Sequence, residues 1–201
     1  ELIALADVSE EAVRGCADRL GVREWTTDHR ALISRPDIDA VVICSPTNMH
    51  AQMMEEAAAA KKHIFCEKPI DLQLERVDKA LNAVAKAGVK LQMGFNRRFD
   101  ANFARVREAI VKGEIGALNM LHIISRDPGP PPIEYVRVSG GIFMDMTIHD
   151  FDMARFLAGN EVDEIYAAAG VMIDPEIGKA GDLDTALLTL RFKNGVIGTI
   201  D

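Results

Sequence analysis

The 201-residue chain is 48% hydrophobic, enough to bury a sizeable core, and its length allows one large domain or two modest ones. Acidic residues outnumber basic ones by 31 to 23, for a net charge of -8, and the basic residues are scattered rather than striped, which argues against a nucleic-acid partner. No apolar run approaches the roughly 20 residues needed to cross a bilayer, and Glu1 opens directly into a strand-like segment with no secretory signal, so a cytoplasmic protein without a membrane partner is expected.

In chain order, residues 2–6 read as a short buried strand. Ser9 with Glu10 and Glu11 supplies a cap and an acidic first turn for a helix running to Leu20, with Gly21 as the stop. The run Ala40-Val-Val-Ile-Cys44 is the next strand, and an Ala-rich helix covers residues 52–60. His63-Ile-Phe-Cys66 is strand-like again, a longer helix spans about 72–87 and stops at Gly88, and residues 90–94 begin another strand. Strands that are apolar on both faces and alternate with helices predict a parallel, Rossmann-type α/β sheet covered on two sides. The three cysteines, Cys16, Cys44 and Cys66, show no close pairing and are expected to be buried free thiols in a reducing compartment.

After Phe95 the pattern changes. A helix over about 101–111 leads to a strand-like run at 118–125, then to the proline-rich loop 128–132 and a helix beginning near Asp145. Strand-like runs at 164–173 and 184–192 follow, with Lys193-Asn194-Gly195 as a hairpin turn. The second half therefore predicts an α+β domain with a mainly antiparallel sheet. The domains expected are residues 1–95, a partial dinucleotide-binding domain, and 96–201, a partial substrate and oligomerisation domain. A sheet of the first kind normally starts with a strand and a glycine-rich turn, so the chain is expected to be an internal part of a longer protein.

Several residues are placed where chemistry would need them. Asp7 ends the first strand, where a dinucleotide-binding fold sets an acid on the adenosine ribose hydroxyls and repels a 2′-phosphate, favouring NAD over NADP; taken alone, an ordinary turn aspartate before a helix is the favoured reading. Ser45, Thr47, Asn48 and His50 lie in the loop after the second strand, where carboxyl-end loops line a ligand crevice, or else Thr47 or Asn48 caps the following helix. Lys68, in Glu67-Lys68-Pro69, ends a further strand at the same edge and could polarise a substrate oxygen; the plain alternative is a surface lysine in a turn. Asp145 and His149 stand four apart, so on one helix they would share a face, and a carboxylate beside an imidazole suits a general base. A metal could be drawn from His149, Asp150 and Asp152, but no second histidine stands at ligand spacing, so no metal is expected.

Together, residues 44–50 (CSPTNMH), 65–69 (FCEKP), 92–100 (QMGFNRRFD) and 141–152 (GIFMDMTIHDFD) resemble the glucose-fructose oxidoreductase/inositol dehydrogenase family, and within it the inositol dehydrogenase branch. The resemblance runs over essentially the whole chain. It implies an NAD-dependent dehydrogenase with Lys68, Asp145 and His149 at the catalytic positions, His149 taking the hydroxyl proton while hydride leaves the carbon. Glu67, Asn48 and Arg97 match positions on the nicotinamide side of the family's pocket, and Asn96 and Asp127 match positions that bind polyol hydroxyls. The substrate class implied is a cyclic polyol, with myo-inositol oxidised to its 2-keto product; scyllo-inositol or a related sugar is the alternative, because Ser125 stands where some inositol dehydrogenases carry histidine. A homo-oligomer is implied for the full-length protein. A regulator that binds a dinucleotide without turnover is the rival from another class, and the lysine, acid and histidine together count against it.

Overall fold

A computed structural model describes residues 1–201. The chain separates into two compact units, Glu1–Gly94 and Phe95–Asp201. No helix is long and apolar enough to cross a membrane.

The first unit runs β1 (Ala4–Ala6), α1 (Glu10–Leu20), β2 (Glu24–Thr26), α2 (His29–Ile33), β3 (Ala40–Ile43), α3 (Thr47–Ala59), β4 (His63–Cys66), α4 (Leu74–Ala87) and β5 (Leu91–Met93). The Ser9 hydroxyl accepts the Ala12 amide at the start of α1, and Gly21, at φ 69°, ends it in the left-handed conformation that costs glycine least. All strand pairs are parallel: β1 with β2, and β3–β4–β5 in that order.

Register explains the core. Val41 pairs with Ile64 and Ile43 with Cys66, while Ile64 and Cys66 pair with Leu91 and Met93, so these six side chains share one face. Against them pack Ala51, Met54, Ala57 and Ala58 of α3 and Ala80 and Val84 of α4. The alanines let helix backbone approach the sheet closely. The opposite face is uncovered within this unit: Val42 is 68% exposed. Both α3 and α4 pack on the Ile43 side.

Two local readings change. α3 starts at Thr47 rather than Gln52, directly after Pro46 and with no side-chain cap, so Thr47 and Asn48 lie inside its first turn instead of capping it. Of the cysteines only Cys66 is buried; Cys16 is intermediate and Cys44, which follows β3 rather than belonging to it, is exposed.

The second unit begins with a 3-10 turn (Asn96–Phe99) and α5 (Ala101–Val111), whose cap Asp100 accepts the Asn102 and Phe103 amides. Then come β6 (Met120–Ile123), α6 (Ile133–Ser139), α7 (Gly141–Asp145), α8 (Ile148–Ala158), β7 (Val162–Gly170), α9 (Pro175–Lys179), β8 (Thr185–Phe192) and β9 (Ile197–Ile200). The sheet order is β6-β9-β8-β7, with β7–β8 and β8–β9 antiparallel and β6–β9 parallel. Alternation along β8 buries Leu188, Leu190 and Phe192 with Leu121, Ile200 and Ala154 of α8, and leaves Leu187, Thr189 and Arg191 on the other face.

The strand expected over 164–173 ends at Gly170. Its last apolar residues turn into a loop because Asp184 accepts the amides of Met172, Ile173 and Asp174. Likewise, the single helix expected from Asp145 is two helices. Thr147 N reaches back to the Ile142 carbonyl at 2.8 Å, a wide turn that ends α7 at Asp145 and lets α8 start afresh at Ile148.

Candidate active site

In the first unit the carboxyl ends of three parallel strands lie along one edge, and the chain leaving them carries most of the polar residues singled out above. Beyond β3, Ser45 and Thr47 are half-buried and Asn48 is exposed in the first turn of α3. The unpaired amides of such a turn point outward and favour anionic groups. Beyond β4, the parallel ladder continues: Glu67 N donates to the Ile43 carbonyl and Gly94 N to the Cys66 carbonyl. A Cβ on Gly94 would sit 2.6 Å from Glu67 Oε2, so glycine is what lets the Glu67 carboxylate lie across the end of β5. Lys68 is half-buried in the turn that follows.

His50 is not where a ligand contact would put it. Its ring is 2% exposed, with Nδ1 2.7 Å from the Pro69 carbonyl and Nε2 2.7 Å from the Ser45 carbonyl. Both nitrogens are committed to backbone, so the expected cofactor contact is corrected: His50 ties the loop after β3 to the turn after β4. The sequence shows only a histidine near a strand end, and burial decides its use. Asp7, exposed after β1, accepts the Ser9 amide on Oδ1 at 2.8 Å, a turn that holds the carboxylate at the strand end.

Cys44 and Cys66 are both held towards the thiol form. Burial, with the neighbouring Cys44 and Glu67, pushes the Cys66 thiol up to about 12, and burial first and Glu67 second raise Cys44 as well.

In the second unit Asp145 closes α7 and His149 lies in the first turn of α8; both are half-buried. The separation of two helices replaces the shared helical face expected from their spacing. Their flanks are fastened by two arginines of the 3-10 turn. Arg97 pairs with Asp150, itself 1% exposed, and Arg98 grips both oxygens of Asp152 at 2.8 and 2.6 Å. Arg98 also lies over the Phe156 ring at 5.2 Å. The two aspartates that a metal would have shared with His149 therefore hold arginines, and Arg97, expected on the nicotinamide side, is engaged with α8. Asn96 and Asp127 are exposed.

Sequence reasoning missed Tyr135. Its hydroxyl donates to Asp145 Oδ1 at 2.9 Å. Partial burial and the Asp145 carboxylate push this phenol up to about 12, so its proton stays in place through the neutral range.

The second unit carries an imidazole and a carboxylate, and the first unit, by itself, a lysine, an acid at the end of β1 and hydroxyl, amide and backbone donors at strand ends. This donor set fits a dinucleotide and a polyhydroxylated substrate. Residues 1–95 match the GFO/IDH/MocA oxidoreductase family, NAD-binding Rossmann fold, and residues 103–201 match the GFO/IDH/MocA C-terminal domain. Myo-inositol 2-dehydrogenase of Thermotoga maritima is 53% identical over 200 residues, covering 100% of the chain and 60% of that relative. A crystal structure of a Thermotoga maritima protein superposes with a TM-score of 0.97 at 53% identity, over 100% of the chain and 61% of that protein. Scyllo-inositol dehydrogenase of Lactobacillus casei with bound NAD(H) and scyllo-inositol has a TM-score of 0.89 at 32% identity, over 100% and 61%. The chain thus spans about 60% of the length of these relatives.

Proposed function

Because the chain belongs to the GFO/IDH/MocA oxidoreductase family, we propose that the protein carrying it is an NAD-dependent dehydrogenase that oxidises a secondary alcohol of a cyclic polyol, myo-inositol to its 2-keto product. The observation that carries the reading is the carboxylate that ends α7, four residues before an imidazole in the first turn of α8, on helices fastened by the Arg97–Asp150 and Arg98–Asp152 pairs. NAD, when bound, would supply the hydride acceptor for the carbinol carbon. His149 takes the proton of the hydroxyl as the carbonyl forms, leaving a neutral ketone and an imidazolium. Lys68 holds the reacting oxygen while it carries negative charge, and Asp145 supports the imidazolium and binds a neighbouring hydroxyl. Asp7 binds the adenosine ribose; Ser45, Thr47, Asn48 and Glu67 line the cofactor, with Arg97 nearby through its pair with Asp150. Asn96 and Asp127 bind further hydroxyls, since each unpaired polar group buried with the polyol would cost about 1–3 kcal/mol.

In the whole protein, His149→Ala should lower kcat with myo-inositol by about 100-fold or more while NAD affinity holds. An unchanged rate would remove His149 as the base. A substrate panel decides between myo-inositol and a second reading, scyllo-inositol, which the Lactobacillus casei relative binds. Tight NAD binding with no turnover on any polyol would favour the regulator instead. A homo-oligomer in the cytoplasm completes the proposal, and sedimentation of the whole protein tests its assembly.

A further inference from the structure

We propose that Tyr135 is a positioning residue for Asp145, acting on the reaction through that carboxylate. The inference rests on the assignment of Asp145 to the reaction given above. α6 ends at Gly140, at φ 91°, and α7 follows at once with Gly141 at φ 79°. Asp182, after α9, accepts the Ile142 amide at 3.1 Å, and a Cβ on Gly141 would stand 2.5 Å from Asp182 Oδ1. α7 is therefore held at its first turn by Asp182 and at its last residue by Tyr135, which reaches Asp145 Oδ1 from α6. A five-residue helix has too few internal hydrogen bonds to fix its own end, so these two outside contacts help to set where the Asp145 carboxylate points.

The phenol serves this purpose for a physical reason. It donates one charge-assisted hydrogen bond to Oδ1, which favours the carboxylate setting that keeps this bond. Its raised pKa keeps it a donor wherever the dehydrogenase would work. Ser139, whose hydroxyl accepts the Gly141 amide at 3.2 Å, stiffens the step between α6 and α7 on which the geometry depends.

The test is a double-mutant cycle in the whole protein with NAD and myo-inositol, comparing Tyr135→Phe, Asp145→Asn and the two combined. Tyr135→Phe should lower kcat by about tenfold with the KM for NAD unchanged. In the Asp145→Asn background the same change should cost less than about twofold, because the carboxylate it orients is gone. Full additivity, or a Tyr135→Phe enzyme with wild-type kcat beside an impaired Asp145→Asn enzyme, overturns the role of Tyr135. An Asp145→Asn enzyme with wild-type kcat overturns instead the assignment of Asp145 to the reaction. Thermal midpoints of Tyr135→Phe and wild type should agree within about 2 °C; a kcat loss that merely tracks a fall in midpoint would make Tyr135 structural and overturn the proposal.

Discussion

Asp184 shows how one side chain can redirect a segment whose composition points elsewhere. Val171, Met172 and Ile173 favour a strand, yet three consecutive amides on one carboxylate outweigh that preference, and Thr185 Oγ1 adds a fourth donor. Those bonds, led by the Met172 amide, hold the Asp184 carboxyl at about 2, below its ordinary value. A depressed carboxylate contributes stability above its ordinary pKa of about 4 and loses it as pH falls towards about 2. Asp184→Asn should therefore lower stability at neutral pH and flatten its acid dependence between about pH 4 and 2. Hydrogen exchange at residues 172–174 should quicken in the same variant, and unchanged exchange there would mean the loop is held by something else. Tyr135 and His50 teach the same point at the candidate site, where a hydrogen-bond partner distant in sequence decides what each residue does.

Among the elements, where β9 pairs with β6, the Leu121 side chain occupies the space that a Cβ at 198 would need. A Cβ there would lie 2.8 Å from Leu121 Cδ1 inside the second core. Gly198→Ala should cost about 1–3 kcal/mol in denaturant unfolding, and Leu121→Val added to it should recover part of the loss. A neutral Gly198→Ala would show that Leu121 moves aside without penalty. The long helices α1, α4 and α5 were legible because an apolar period is bounded by Ser9 and Gly21 in α1, by Gly88 at the end of α4 and by the Asp100 cap at the start of α5. α6 was not, since Ile133, Val136 and Val138 are β-branched residues that read as neither helix nor turn. The step from α7 to α8 was also hidden, because a backbone bond from Thr147 to Ile142 leaves no mark on residue spacing.

For the molecule as a whole, charge and the family match point to small-molecule chemistry, and cofactor choice is the property most exposed to a simple test. Asp7 stands at the end of β1 with one oxygen bound to the Ser9 amide. In the whole protein Asp7→Ser should narrow the preference for NAD over NADP by about tenfold or more in kcat/KM, since a charge near the 2′-phosphate would no longer repel it. An unaltered ratio would separate Asp7 from the ribose. The sequence by itself determined the alternation of strands and helices in the first unit, the β8–β9 hairpin and the family, because these rest on local periodicity, turn chemistry and contiguous motifs. Only the tertiary structure decided which face of β3–β4–β5 is covered, that His50 serves backbone carbonyls, that Arg97 and Arg98 clasp α8, and that Tyr135 holds Asp145. Each of these depends on groups brought together from separate stretches of chain, and burial and hydrogen-bond partnership across such distances are properties of packing rather than of spacing.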